Sequence, residues 1–257
     1  MSKTIKARLA IAVPTYNEAK NLPKLVNRIK LVTDNTTNVD YTLLIIDDNS
    51  PDGTSIVAKN LAKGKKTKNF RIKVLKRRIK QGLGSAYIDG FKYLLSEKRY
   101  DYILQMDADL SHDPKYIPNF LDSIQEADLI VGSRYIKGGG TPDWTILRKL
   151  LSRAGNLYAC LILGTKIHDY TGGYNMYSSR LLKKINFDIL HTNGYSFLLE
   201  LKYVALNLAK HTKEVPIIFI DRKHGVSKMP KNTLISSLLL VPFLKLKSIN
   251  GYKKAIQ

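Results

Sequence analysis

LQMDADLSHDP, residues 104–114, runs an apolar pair into two carboxylates, Asp107 and Asp109, with only Ala108 between them. Holding like charges that close is costly unless a cation sits between them. In an extended chain alternate side chains point the same way, so both carboxylates can approach one ion. Hard oxygen ligands suit Mg2+ or Mn2+, with phosphate oxygens completing the shell. The same residues also suit turns, and Asp109 or Ser111 could cap a following helix.

Two earlier apolar runs end in the same manner. Residues 8–14 (RLAIAVP) lead into PTYNE, and residues 41–47 (YTLLIID) into DDNSPDGT. Residues 71–75 and 102–106 read as two further strands. Between them lie helical patterns. Residues 17–32 carry Leu22, Leu25, Val26 and Ile29 in step, with Asn17 as cap. Thr54 starts a second helix, and a turn at 81–84 precedes a third that runs through Leu95. Strands alternating with helices predict an α/β chain with a mostly parallel sheet flanked by helices. Ligands bind such sheets at the carboxyl ends of the strands. The three polar clusters are therefore expected to meet in space.

Further along, Asp113-Pro114 opens a short helix and residues 128–132 (DLIVG) form a fifth strand. KGGGTPDW, residues 137–144, reads as a mobile loop able to close over a site, because three glycines in a row do not pack. Residues 146–163 form a helix with one apolar stripe beside Arg148, Lys149 and Arg153. HDYTGGYNMYS, from residue 168, is turn-rich; residues 195–209 read as a helix and 215–220 as a late strand. The reading is one catalytic domain over residues 1–231 and a short amphipathic tail, basic at its ends, over 232–257.

Composition narrows the class. The chain has 257 residues, 44% of them hydrophobic, enough for a substantial core. Its one cysteine, Cys160, excludes an internal disulfide and a cysteine-only zinc site. No apolar stretch reaches the ~18 residues of a membrane span and the start lacks a signal-peptide core. The expectation is a cytoplasmic protein that does not cross a membrane. The net charge of +21 favours anionic partners, and residues 63–80 hold ten Lys or Arg and no acid. That segment is either a solvated basic face or a patch for acidic lipid headgroups. A nucleic-acid binder would share the charge but not the acidic strand ends, and no such motif is present. Neither GxxxxGK[ST] nor GxGxxG occurs, so phosphate must be met by side chains. Arg134, Arg148, Arg222 and Lys228 lie in or beside loops suited to that task. Asp48 could hydrogen-bond a ribose or base, although its surroundings also suit an Asx turn. His112, His168 and His224 show no metal-ligand spacing.

PTYNE, DDNSPDGT, MDADLSHDP, GSRY, DYTGGYNMY, GYSFLLEL and DRKHGVSK occur here in one order. Together they resemble the dolichyl-phosphate (polyprenyl-phosphate) mannosyltransferases, family-2 glycosyltransferases of the GT-A, Rossmann-like fold. The likeness spans roughly residues 8–232. It implies a GDP-mannose donor and a polyprenyl or dolichyl phosphate acceptor. The amphipathic 146–163 helix and the Leu234–Leu246 tail are then expected either to make peripheral contact with an anionic membrane on its cytoplasmic face or simply to pack on the core. UDP-glucose is the rival donor. By the same resemblance Pro14, Tyr16, Glu18, Ile46 and Asp48 would hold the nucleotide. Asp107, Ala108 and Asp109 would hold its diphosphate, the two carboxylates through Mg2+ or Mn2+. Arg134, Arg222 and Lys228 would grip phosphate groups, and Arg148 with Arg134 the acceptor phosphate. Some relatives carry Gln two residues after the second aspartate as a further metal ligand; here Ser111 stands there.

Overall fold

Two long apolar runs, Ala7–Thr15 (β1) and Val39–Asp47 (β2), are buried along nearly their whole length. Such runs belong to strands covered on both faces. In this computed structural model residues 7–36, 38–64, 67–190, 194–221, 233–247 and 249–253 are described. Arg222, His224 and Lys228 lie outside that set, so their expected roles have no geometry here.

Helix α1 (Leu22–Asp34) joins β1 to β2, and α2 (Thr54–Gly64) leads to β3 (Phe70–Lys76). Helix α3 (Leu83–Ser96), β4 (Tyr102–Gln105), α4 (Ile117–Leu121) and β5 (Leu129–Ser133) follow. Then come α5 (Ile146–Leu163), β6 (Asn175–Ser178), α6 (Ser179–Lys183), α7 (Tyr195–Leu208), β7 (Thr212–Pro216) and α8 (Thr233–Leu246). The seven strands form one sheet in the order β3-β2-β1-β4-β6-β5-β7. All neighbours are parallel except β6, which runs antiparallel to β4 and β5.

The period of two along the strands divides the core between the two faces. Leu9, Ile11, Val13, Leu43 and Ile45 pack with the buried stripe of α1. Ala10, Ala12, Leu44 and Ile46 pack with α3, α6 and α7 on the other side. Helix α3 approaches β2 so closely that a Cβ on Gly90 would lie 2.3 Å from Ile46 Cδ1. The described part of the tail also belongs to this layer. Val241, Leu244 and Tyr252 are buried, and the Tyr252 hydroxyl donates to Glu200 at 2.8 Å.

Several local expectations change. α1 begins at Leu22, because Asn17 takes a left-handed conformation (φ 57°) and turns the chain instead of capping a helix. Thr54 Oγ1 accepts from the Glu18 amide, so Thr54 ties two loops rather than capping α2. The cap before α4 is Asp113, whose carboxylate accepts from the Lys115 amide, while Asp109 and Ser111 bond each other. HDYTGGYNMYS contains β6 as well as turns. The late strand is β7, set several residues earlier than the sequence indicates. The glycine loop is packed, not loose. Gly140 N donates to Ile217 O and Phe219 N donates to Gly140 O. A Cβ on Gly139 would lie 2.5 Å from Ser133 O, so only glycine fits.

Helix α5 is capped by Thr145, whose hydroxyl accepts from the Arg148 amide, and ends at left-handed Gly164. Its apolar stripe faces outward. Ile146, Leu147, Leu150, Leu151, Leu157 and Leu161 are each more than half exposed. Leu239, Phe243 and Leu246 of α8 are exposed too. Within the basic 63–80 stretch the charges divide. Lys73 pairs with Glu97 and Arg77 turns inward, while Lys63, Lys76, Arg78 and Lys80 remain exposed.

Candidate active site

The carboxyl ends of β1, β2 and β4 do meet. The Asn17 amide donates to Ser50 Oγ at 3.1 Å, Glu18 N to Thr54 Oγ1 at 2.9 Å and Ala19 N to Asp52 Oδ2 at 3.1 Å. Burial alone would raise the Asp52 carboxyl, but hydrogen bonds from Thr54 and Ala19 outweigh it and hold it below its ordinary value. Glu18 is buried and Oε2 accepts from Asn21 Nδ2 at 2.7 Å. Tyr16 is half-buried beneath Lys80, whose Nζ sits 3.9 Å from the ring centroid. Pro14 is buried in β1. The Ile46 side chain is fully buried against α3, and its carbonyl accepts from Thr15 Oγ1.

Asp48 is buried and multiply held. Oδ1 accepts from Arg77 Nη1 at 2.5 Å and Gln81 N at 3.0 Å, and Oδ2 from Gly82 N at 2.8 Å. Arg77 also reaches Asp89 (2.8 Å), Gln81 and Ser85. Sequence reasoning missed this anchor: Arg77 sits in a basic run and gives no sign that it turns inward.

At the end of β4, Asp107 Oδ1 accepts from the Tyr87 hydroxyl at 3.1 Å. The Asp107 amide donates to His112 Nδ1 at 3.0 Å, which fixes the imidazole as an acceptor at that nitrogen. Burial lowers the His112 pKa, against the pull of Asp107 and Asp109. The ring stacks on Tyr174 at 4.8 Å. His112 is therefore a neutral support for the Asp107 backbone, a role its spacing did not reveal. Asp109 Oδ1 accepts from Ser111 N (3.1 Å) and Oγ (2.6 Å). Between them Leu110 is left-handed (φ 68°), an uncommon state for a bulky residue and one that gathers at functional sites. Ala108 is buried in the core.

The opposite charge lies across two glycines. A Cβ on Gly173 would lie 3.8 Å from Asp107 Oδ2, and one on Gly172 would lie 3.1 Å from Asp169 Oδ1. Asp169 grips Arg134 with both oxygens, at 2.7 Å to Nε and 2.8 Å to Nη2, and accepts from its amide at 2.9 Å. Burial would raise the Asp169 carboxyl, but Arg134 and Lys202 hold it down to about 2. Lys202, fully buried on α7, donates to the carbonyls of Asp169 (3.0 Å) and Gly172 (2.8 Å). Burial, with repulsion from Arg134, lowers its ammonium to about 8 despite the attraction of Asp169. Arg148 is exposed, pairs with Asp221 at 2.5 Å and lies over Trp144. Among the described residues no group of three or more His, Cys, Asp or Glu could hold a metal alone. Two carboxylates at a strand end fit an ion whose shell is completed by diphosphate oxygens.

Acidic residues at the parallel strand ends facing a buried arginine suit an anionic donor and an anionic partner. Residues 10–186 match the family described as Glycosyl transferase family 2. The chain belongs to that family. This glycosyltransferase is 39% identical over 222 residues to an undecaprenyl-phosphate mannosyltransferase of Micrococcus luteus, covering 86% of this chain and 87% of that protein. It is 38% identical over 235 residues to a polyprenol monophosphomannose synthase of Mycolicibacterium smegmatis, covering 91% and 85%. In fold the glycosyltransferase resembles Mycobacterium tuberculosis glucosyl-3-phosphoglycerate synthase, solved with Mn2+, UDP and glucosyl-3-phosphoglycerate. There the TM-score is 0.61 at 18% identity, over 97% of this chain and 82% of that one. A mannosyl-3-phosphoglycerate synthase of Rubrobacter xylanophilus gives a TM-score of 0.61 at 18% identity, over 93% and 72%. The GT-A-like sheet of the glycosyltransferase is thus a shared fold.

Proposed function

We propose that this enzyme transfers mannose from GDP-mannose to the phosphate of a polyprenyl or dolichyl lipid, with inversion at the sugar. The relatives named for polyprenyl-phosphate mannose chemistry support the acceptor and sugar. The carrying observation is the opposition within one site of Asp107 to the Arg134–Asp169 pair, across Gly172 and Gly173. Asp107 and Asp109 would hold Mg2+ or Mn2+, which when bound neutralises the departing diphosphate. Tyr16, Glu18 and Asp48 border the nucleotide end, with Asp48 acting through the Arg77 anchor. Arg222 and Lys228 would add phosphate contacts. Arg134 and Arg148 would present the acceptor. A phosphate monoester has a second pKa of about 6, so it arrives largely ionised and needs no strong base. The residues' task is electrostatic: to hold a negative nucleophile in line with the sugar.

The outward apolar stripe of α5 lies beside Arg148, Lys149 and Arg153, a pairing that suits an interfacial helix on anionic lipid. The enzyme would work peripherally on a cytoplasmic membrane face. No described helix is long and apolar enough to cross one.

The test is transfer of labelled sugar to short polyprenyl phosphate from GDP-mannose and, separately, UDP-glucose, with and without EDTA. Transfer from GDP-mannose that EDTA abolishes is expected. Asp107→Asn is expected to lower turnover about 100- to 1000-fold with an unchanged melting curve. Full turnover in EDTA, or in that variant, contradicts the metal role; preference for UDP-glucose replaces the donor.

A further inference from the structure

Trp144 is the single tryptophan of the chain and is 8% exposed. Two arginines converge on its indole. Arg148 Cζ lies 4.0 Å from the ring centroid and Arg134 Cζ 5.3 Å. Phe219 meets the indole edge-on at 5.7 Å and also lies 5.7 Å from Arg134 Cζ. The packed glycine loop fixes this arrangement through the main-chain bonds of Gly140 with Ile217 and Phe219, and Trp144 N donates to Thr141 O. The indole Nε1–H is buried and has no hydrogen-bond partner among the described residues.

We infer that Trp144 is a positioning residue that sets Arg148 and Arg134 at the spacing needed to address one phosphate monoester. This rests on the acceptor reading above. Two guanidinium ions brought together repel. Each already has one carboxylate: Arg134 a bidentate clamp from buried Asp169, Arg148 a single contact to half-exposed Asp221. A third carboxylate would relieve the repulsion but would also compete with the incoming phosphate. An aromatic face attracts both cations without carrying a net charge. Arg148 is the looser of the two, so phosphate binding exchanges Asp221 for phosphate while the guanidinium keeps its place over the ring.

Because no other tryptophan is present, its fluorescence reports this arrangement directly. The full chain is titrated with short polyprenyl phosphate, the matching unphosphorylated alcohol and inorganic phosphate. A saturable emission change with polyprenyl phosphate is expected, with none from the alcohol and none in Arg148→Gln. In parallel, Trp144→Leu is expected to raise the acceptor KM about tenfold, the size of a partly desolvated cation–π contact. The donor KM stays the same, and Trp144→Phe, which keeps a ring face, restores most of the loss. Three results overturn the proposal: constant emission at acceptor concentrations that saturate turnover, a wild-type acceptor KM in Trp144→Leu, or a Phe variant as impaired as Leu. If inorganic phosphate changes the emission but polyprenyl phosphate is never glycosylated, the acceptor reading falls and the role of Trp144 stands.

Discussion

Arg77 follows β3 and Arg134 follows β5; each is buried and each is ion-paired, yet the two clusters differ in how their carboxylates meet water. Arg77 stands between two carboxylates, Asp48 and Asp89, and reaches water through half-exposed Asp89. Arg134 is clamped by the carboxylate of Asp169, while Lys202 donates to the Asp169 main-chain carbonyl and is also attracted by Glu214; the Asp169 and Lys202 side chains are fully buried. One cluster is thus partly wet, whereas the other is dry at its centre. Arg77 holds Asp48 and the 81–82 turn in place.

The dry cluster is the place to break this contrast. Asp169→Asn leaves Arg134 buried without its carboxylate partner, and a loss of about 3–5 kcal/mol is expected in denaturant unfolding. A loss below ~1 kcal/mol would mean water or another anion serves the cluster as well. The wild-type contribution has a pH signature. With a folded pKa of about 2 against about 3.9 unfolded, Asp169 stabilises fully above pH ~4, and that stability is lost as pH falls toward 2.

Lys202 gives the next largest effect, with the same sense of pH dependence in a higher window. Its folded pKa of about 8 lies below the ~10.4 of the unfolded chain. Between those values the unfolded chain keeps a proton that the folded chain has shed, so this lysine makes stability rise with pH, at most about 1.4 kcal/mol per unit. Measured from pH 8 to 9.5, the stability difference between wild type and Lys202→Met should widen in favour of wild type. A flat difference would show that the buried amine keeps its proton.

The smallest change belongs to the wet cluster. Asp89→Asn removes a half-exposed partner while Asp48 still holds Arg77, so a cost under about 1 kcal/mol is expected in the same unfolding experiment. A cost equal to that of Asp169→Asn would erase the distinction between the two clusters.

The parallel half of the sheet was legible because β1 and β2 are unbroken apolar runs that end in clustered acids. The left-handed turn at Asn17 was not, since asparagine also caps helices and the choice between them depends on the contact with Ser50. β6 has only four residues, all buried, so it shows no alternation to separate it from a turn. The glycine loop read as mobile because close main-chain approach leaves no side-chain pattern. At the site the acidic pair announced itself, while Asp169 and Lys202 did not. One sat in an apparent turn, and the other was a lysine in a helix where lysines ordinarily face water.

The antiparallel β6 has a consequence for synthesis on the ribosome. Strands β1 to β4 emerge in succession and can zip together as they appear. β5 emerges next, yet its place beside β4 is taken by a strand not yet made, and its other neighbour β7 comes later still. An apolar segment must wait unpaired while α5 is translated, so the nascent chain completes its acidic half first and is most exposed to misassembly during that interval.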